Sequence, residues 1–150
     1  MPGRLVFGWH SPTWGGAIAF HDPAGGGEVL STAYLLPPAT FSDILEQEMW
    51  REPGADHDLS EVVAHGRQVL GPGRYETLHL AGELGGRPVV TFSAADPSAL
   101  EPGEPAPAYL ATMASGLRHA HGLDDDRIAD YLLGAVGISL DRAAALRAIG

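Results

Sequence analysis

The sequence predicts a single α+β domain in which strands come first and helices last. Runs rich in β-forming residues occupy the first 93 residues, helical spacing of apolar residues dominates from residue 107 onward, and no strand-helix-strand alternation occurs. At 150 residues, 45% of them hydrophobic, the chain has the length of one ordinary domain. We therefore expect one domain over residues 1–150 with a small antiparallel sheet or barrel, mostly sheet in residues 1–93 and helices in residues 107–149.

Composition excludes several classes of function. The formal charge is −10, so no basic stripe is available to neutralise phosphates, and we expect no nucleic-acid partner. The absence of cysteine excludes disulfides, zinc-thiolate sites and thiol nucleophiles. No apolar run has the length of a membrane span or a signal-peptide core, so we expect a cytoplasmic protein without a membrane partner.

The predicted strands are short apolar runs bounded by turn residues. Residues 5–7 and 17–20 form two such runs, and residues 28–36 form a longer one that two prolines end. Between residues 74 and 93, two β-rich runs flank a Gly-Gly pair, which indicates a hairpin.

The first predicted helix covers residues 41–50 and contains two carboxylates. Phe41, Ile44, Leu45 and Glu48 follow the spacing of one helix face, so Glu48 falls on the stripe that should face the core. Apolar surroundings raise the pKa of a carboxylate, as a base that works near neutrality requires. Spacing alone leaves two alternatives open. In one, Glu46 faces solvent and Glu48 only caps the helix or pairs with an arginine such as Arg51; in the other, Glu46 is the relevant carboxylate.

The C-terminal helices are predicted from their ends. Pro107 suits the first turn of a helix that Gly122 stops, and Asp124 can cap a second helix. Ser139 is expected to cap a third helix at residues 140–149.

A metal site is conceivable at residues 56–58, where Asp56 and Asp58 flank His57, with His65 nearby in sequence. Adjacent residues rarely converge on one ion, and this polar segment follows a Pro-Gly pair. We therefore interpret it as a solvated loop and predict no metal site.

Three segments carry a resemblance to a known family. They are Ser-Pro-Thr-Trp-Gly-Gly-Ala-Ile-Ala at residues 11–19, Gly-Glu-Val at residues 27–29 and Leu-Glu-Gln-Glu at residues 45–48. In this order and at these intervals they resemble the γ-glutamyl cyclotransferase family, including actinobacterial cyclotransferase-like proteins that are often labelled histone deacetylase. The similarity covers roughly residues 5–133.

The resemblance implies a small mixed β-barrel with flanking helices. It implies release of an amine or amino acid from a γ-glutamyl group, with formation of 5-oxoproline, no cofactor and a small γ-glutamyl substrate as partner. The Glu-Gln-Glu match places the general acid/base at Glu48. The residues that would bind the substrate are Trp14, Gly15, Gly16, Tyr34 and Tyr75.

One departure from the family pattern concerns the N-terminus. Family members begin with a strand and a Tyr-Gly-Ser-Asn loop that holds the substrate. This sequence has no such motif, and from the resemblance we expect it to begin at the family's second strand. The first alternative is therefore a non-catalytic cyclotransferase-like binding protein that lost the loop. The second, which follows only from the histone deacetylase label, is an amidase or deacetylase. An absent strand would also expose sheet edges, which predicts a homodimer.

Overall fold

The computed structural model describes residues 1–150 and has an α+β fold. Five strands form two antiparallel sheets, of two and three strands, and five α-helices accompany them. The chain divides into two compact units: a first unit of Met1–Gly3 with Pro23–Asp96, and a second unit of Arg4–Asp22 with Pro97–Gly150. The single domain over residues 1–150 stays a prediction. No helix is both long and apolar enough to cross a membrane.

The second unit begins with the two predicted N-terminal strands. β1 (Arg4–Ser11) and β2 (Gly16–Asp22) form an antiparallel hairpin, so the strand predictions at residues 5–7 and 17–20 are confirmed. Arg4 lies opposite Asp22, and its Nε donates a hydrogen bond of 2.8 Å to the carboxylate of Asp22.

Three helices complete the second unit: α3 (Pro107–His121), α4 (Asp125–Leu133) and α5 (Arg142–Ile149). Gly122 ends α3 in the left-handed region at φ 63°, and the Asp124 side chain accepts the Arg127 N–H at 2.9 Å, so both predicted ends are confirmed. The predicted cap of α5 is wrong. Asp141 accepts the Ala144 N–H at 2.7 Å, whereas the Ser139 hydroxyl donates to Glu104.

The core of the second unit is apolar. Its largest fully buried side chains are Val6, Phe7, Phe20, Leu110, Ile128, Leu132 and Ile149. Burial of an aliphatic or aromatic side chain contributes roughly 1.5–3 kcal/mol. Burial of these side chains therefore stabilises the fold of the second unit.

The first unit contains the remaining elements: α1 (Pro38–Glu48), α2 (Ser60–His65), β3 (Arg67–Val69), β4 (Thr77–Leu84) and β5 (Arg87–Ser93). β4 and β5 form the predicted hairpin, and both residues of its Gly85-Gly86 turn have positive φ. The strand predicted over residues 28–36 is wrong. Glu28 forms an isolated bridge with Pro2. No segment of the chain pairs with residues 31–36, so these residues form no strand.

A small apolar cluster fixes α1 in the first unit. Leu45 of α1, Val62 of α2 and Leu78 of β4 are fully buried and contact each other. The helix runs over Pro38–Glu48 instead of residues 41–50, since Pro38 occupies its first turn, where no N–H is needed. The packing of Leu45 sets which side of α1 faces inward.

Candidate functional site

Helix α1 buries a different carboxylate from the one that spacing predicted. Its buried residues are Ser42, Leu45 and Glu46, whereas Glu48 is exposed. The expectation that Glu48 lies on the buried stripe is therefore wrong. Leu45 could face the core together with either Glu48 or Glu46. In the structure it is Glu46 that faces inward, where it has polar partners, and Ile44 lies at the surface. The acid/base role of Glu48 stays a prediction.

The C-terminus of α1 returns the chain toward Glu46. The Arg51 N–H donates to the Glu46 carbonyl at 2.9 Å, and the Trp50 N–H donates to the Gln47 carbonyl at 2.9 Å. These two bonds are those of a Schellman motif, which usually has glycine in the left-handed position. Here Trp50 occupies it, at φ 57°. The motif brings the Arg51 side chain back beside the carboxylate of Glu46.

Arg51 joins two buried carboxylates. Its Nε lies 2.7 Å from Glu46 Oε2 and its Nη2 lies 3.0 Å from Glu46 Oε1, which makes a two-pronged pair. Its Nη1 donates to Glu76 Oε1 at 2.6 Å. Both carboxylate side chains are only 8% exposed, whereas Arg51 is 43% exposed. The guanidinium therefore closes the cluster toward solvent.

The Glu76 end of the cluster is held by a glycine-containing loop. The Gly73 N–H donates to Glu76 Oε2 at 2.6 Å. A Cβ atom at Gly71 or at Gly73 would lie 2.5 Å from Glu76 Oε2, so a larger residue at either position would displace the carboxylate from its place beside Arg51. Both glycines are thus explained by the position of Glu76.

The ion pairs lower the pKa of both carboxylates. Hydrogen bonds from Arg51, followed by the contact with His57, hold the pKa of Glu46 below its usual value of 4.5, although burial acts in the opposite direction. Arg51 likewise lowers the pKa of Glu76. The two glutamates in turn raise the pKa of Arg51. Both carboxylates are therefore ionised at neutral pH.

His57 joins the cluster from the loop that follows α1. Its Nε2 lies 2.7 Å from Glu46 Oε1, and the side chain is 22% exposed. Two further bonds hold this loop against α1: the His57 N–H donates to Ser42 Oγ at 3.2 Å, and the Gly54 N–H donates to Asp43 Oδ1 at 2.8 Å. Three polar side chains of α1 thus fix the position of the imidazole.

A cleft opens beside this imidazole. It has a volume of about 380 Å³, within the range typical of small-molecule sites, and it is lined by Pro38, Asp56, His57, Asp58 and Leu59. One lining residue, His57, contacts a buried carboxylate. The segment interpreted as a solvated loop therefore forms one wall of a cleft.

Other predicted site residues of the first unit lie around Arg74. The Arg74 guanidinium donates to the main-chain carbonyl of Glu48 and lies 5.5 Å from the Tyr75 ring centroid and 4.7 Å from that of Trp50. Tyr75 also packs edge-on against Phe92 at 5.6 Å. The structure therefore brings Tyr75 and the backbone of Glu48 to one cation, whereas Tyr34 is 77% exposed.

The remaining predicted residues belong to the second unit. Trp14 and Gly15 lie in the turn between β1 and β2, and Gly16 begins β2. The Trp14 ring is 5.0 Å from the ring of Tyr109, whose hydroxyl accepts the Ala19 N–H at 3.1 Å. A Cβ at Gly16 would lie 2.6 Å from the Ala106 nitrogen, so close backbone packing explains this glycine.

Sequence reasoning missed Glu76 altogether. It considered Arg51 only as a pairing partner of Glu48, and His57 only as a metal ligand or as part of a solvated loop. Glu76 is 25 residues from Arg51, so no helical spacing could join them. A signal was present in the Gly-Pro-Gly run just before Glu76, which predicts a tight loop, although not what the loop surrounds.

No group of three or more histidine, aspartate and glutamate side chains is arranged to hold a metal ion. Comparison with known proteins found no matching family model, curated protein or solved structure.

Proposed function

We propose that the chain is a γ-glutamyl cyclotransferase-like enzyme whose proton-transfer group is His57, oriented by Glu46. The contact between His57 and buried Glu46, at the wall of a cleft, is the observation that carries this proposal. The resemblance at residues 11–19, 27–29 and 45–48 supplies the reaction and the β-barrel as the expected family fold.

The reaction needs one group that takes a proton and later returns it. The substrate's α-amine loses a proton as its nitrogen attacks the γ-carbonyl carbon, and the bond from that carbon to the leaving nitrogen then breaks. The leaving nitrogen gains the proton, which yields 5-oxoproline and a free amine. Because nucleophile and carbonyl belong to one molecule, the cleft has mainly to hold a folded conformer.

The Glu46–His57 pair suits this task. When neutral His57 donates its Nε2–H to the Glu46 carboxylate, the lone pair on Nδ1 can accept a proton. Glu46 stays ionised because Arg51 lowers its pKa, and an ionised carboxylate stabilises the imidazolium that forms. The resemblance instead assigns the acid/base role to Glu48, whose side chain is exposed to solvent.

A second candidate function is supported by the same ion pair. Arg51 donates two hydrogen bonds to the Glu46 carboxylate, and such a pair can also have a purely structural role. On this interpretation the chain is a cyclotransferase-like binding protein that takes a γ-glutamyl compound into the cleft without converting it.

Incubation with γ-glutamyl dipeptides and γ-glutamyl alkylamines, followed by mass-spectrometric detection of 5-oxoproline, tests the proposal. The wild type should form 5-oxoproline, and His57→Gln should lower the rate about 10²- to 10⁴-fold, the usual contribution of a general acid/base. His65→Gln is the matched control, since His65 is exposed at the end of α2, and it should retain the wild-type rate.

Two outcomes would overturn the assignment. Equal rates for His57→Gln and the wild type would remove His57 from the chemistry. Saturable binding of the same compounds by the wild type without any 5-oxoproline would favour the binding protein.

A further inference from the structure

The longest run of exposed residues in the chain precedes α1. Residues 31–40 are all exposed, and the main-chain groups of residues 31–36 have no hydrogen-bond partner within the chain. Both ends of the segment are anchored. The Val29 N–H donates to the Met1 carbonyl at 2.7 Å, and the Pro37 carbonyl accepts the Phe41 N–H at 3.2 Å. Residues 31–36, here called the free segment, thus lie between two fixed points.

The composition of the free segment is that of a strand. Thr32 is β-branched, Tyr34 is aromatic, and Tyr34 and Leu35 are 77% and 76% exposed. Unpaired main-chain groups beside exposed apolar side chains form a template onto which another strand can add. Proteins that avoid such pairing place charges on the exposed strand, and the free segment has none.

Charge limits where a second copy of the chain can bind. Each copy carries a formal charge of −10, so two copies repel each other over most of their surfaces. The stretch between Glu28 and Asp43 contains no charged residue. Two copies that meet through this stretch bury no carboxylate and bring few charges together.

We propose that the free segment pairs with the same segment of a second copy as an antiparallel two-stranded ladder centred on Tyr34. A two-fold axis perpendicular to such a ladder passes through a pair of identical residues, because side chains alternate between its faces. Centring on Tyr34 places the two tyrosines opposite each other and Thr32 opposite Leu36. Aromatic pairs across strands are stabilising, and Pro37, which has no N–H, ends the ladder.

The size of this contact sets its strength. A stable interface buries roughly 800 Å² per partner, and six residues of one strand provide less. The dimer is therefore reversible and depends on protein concentration.

Light scattering coupled to size-exclusion chromatography tests the pairing over a series of protein concentrations. The wild type should shift from monomer toward dimer as concentration rises, and Leu35→Lys should remain monomeric because it places a charge in the ladder. Leu84→Lys is the control: Leu84 is 66% exposed on the β4–β5 hairpin, and this variant should dimerise like the wild type. A wild type that is monomeric throughout, or a Leu35→Lys variant that still dimerises, would overturn the proposal.

A cross-linking experiment tests the register. Because the chain contains no cysteine, Tyr34→Cys introduces a single thiol that lies opposite its counterpart in the second copy. Under mild oxidation this variant should form a disulfide-linked dimer faster than Leu84→Cys. Equal rates for the two variants would show that random encounters, and not pairing through the free segment, produce the cross-link.

Discussion

The two sides of helix α1 differ in what their side chains do. On the inner side, Ser42 and Glu46 bind polar partners while Leu45 fills the apolar cluster of the first unit. On the outer side, Ile44, Gln47 and Glu48 are exposed. The two glutamates are only two residues apart, yet one is fixed by an arginine and a histidine while the other has a side chain in solvent. The two glutamates have the same side chain, so the difference between them comes from their surroundings.

The largest stability difference between the two sides is expected from their apolar residues. Leu45→Ala should reduce the free energy of unfolding by about 2–5 kcal/mol, because it removes a fully buried side chain and leaves a cavity. Ile44→Ala, on the outer side, should cost clearly less, since Ile44 is 36% exposed. Urea unfolding followed by circular dichroism measures both, and equal losses would show that the two sides are equally buried.

A smaller effect is expected at Ser42. Its hydroxyl donates to the Pro38 carbonyl at 3.1 Å and accepts the His57 N–H. Ser42→Ala should lower the free energy of unfolding by about 0.5–1.5 kcal/mol, the usual net value of a hydrogen bond. Gln47→Ala on the outer side serves as the control in the same urea titrations. Should both substitutions leave stability unchanged, the loop that carries His57 is not held by Ser42.

The smallest effect is a change in pH dependence. The folded state holds the pKa of Glu46 and Glu76 below the ordinary value of 4.5, so it binds fewer protons than the unfolded state just below that pH. Their stabilisation is complete above pH 4.5 and is lost as the pH falls through the lowered pKa values. Glu76→Gln removes one of these groups, so stability should fall less steeply on acidification, by at most about one proton per molecule.

Thermal unfolding recorded at a series of acidic pH values gives this slope. Glu83→Gln, which removes a negative charge from an exposed position on the β4–β5 hairpin, is the matched control. Identical slopes for Glu76→Gln and the wild type would show that the Arg51–Glu76 pair does not persist in solution.

Local signals in the sequence were sufficient for much of the fold. Pro107 and Gly122 define α3, and the Gly85-Gly86 pair defines the β4–β5 turn, since each depends only on a residue's own backbone preferences. Residues 28–36 show the limit of this reasoning. Their composition is that of a strand, but a strand needs a partner, and the chain supplies none to residues 31–36.

The candidate site was less predictable because it depends on contacts between distant residues. Leu45 could be buried together with either Glu46 or Glu48. Which glutamate faces inward depends on partners outside the helix, His57 and the Arg51–Glu76 pair. The Schellman motif at the end of α1 is also hard to predict from the sequence, because its left-handed position is usually glycine and is Trp50 here. Without that motif, nothing in the sequence indicates that Arg51 returns to Glu46.

The most direct measurement compares 5-oxoproline release by Glu46→Gln and Glu48→Gln, with circular dichroism to verify that both variants fold. If Glu46 orients His57, Glu46→Gln should lose about 10²-fold or more in rate, while Glu48→Gln should stay close to the wild type. Loss of activity in Glu48→Gln with full activity in Glu46→Gln would contradict this account and return the acid/base role to the exposed side of α1.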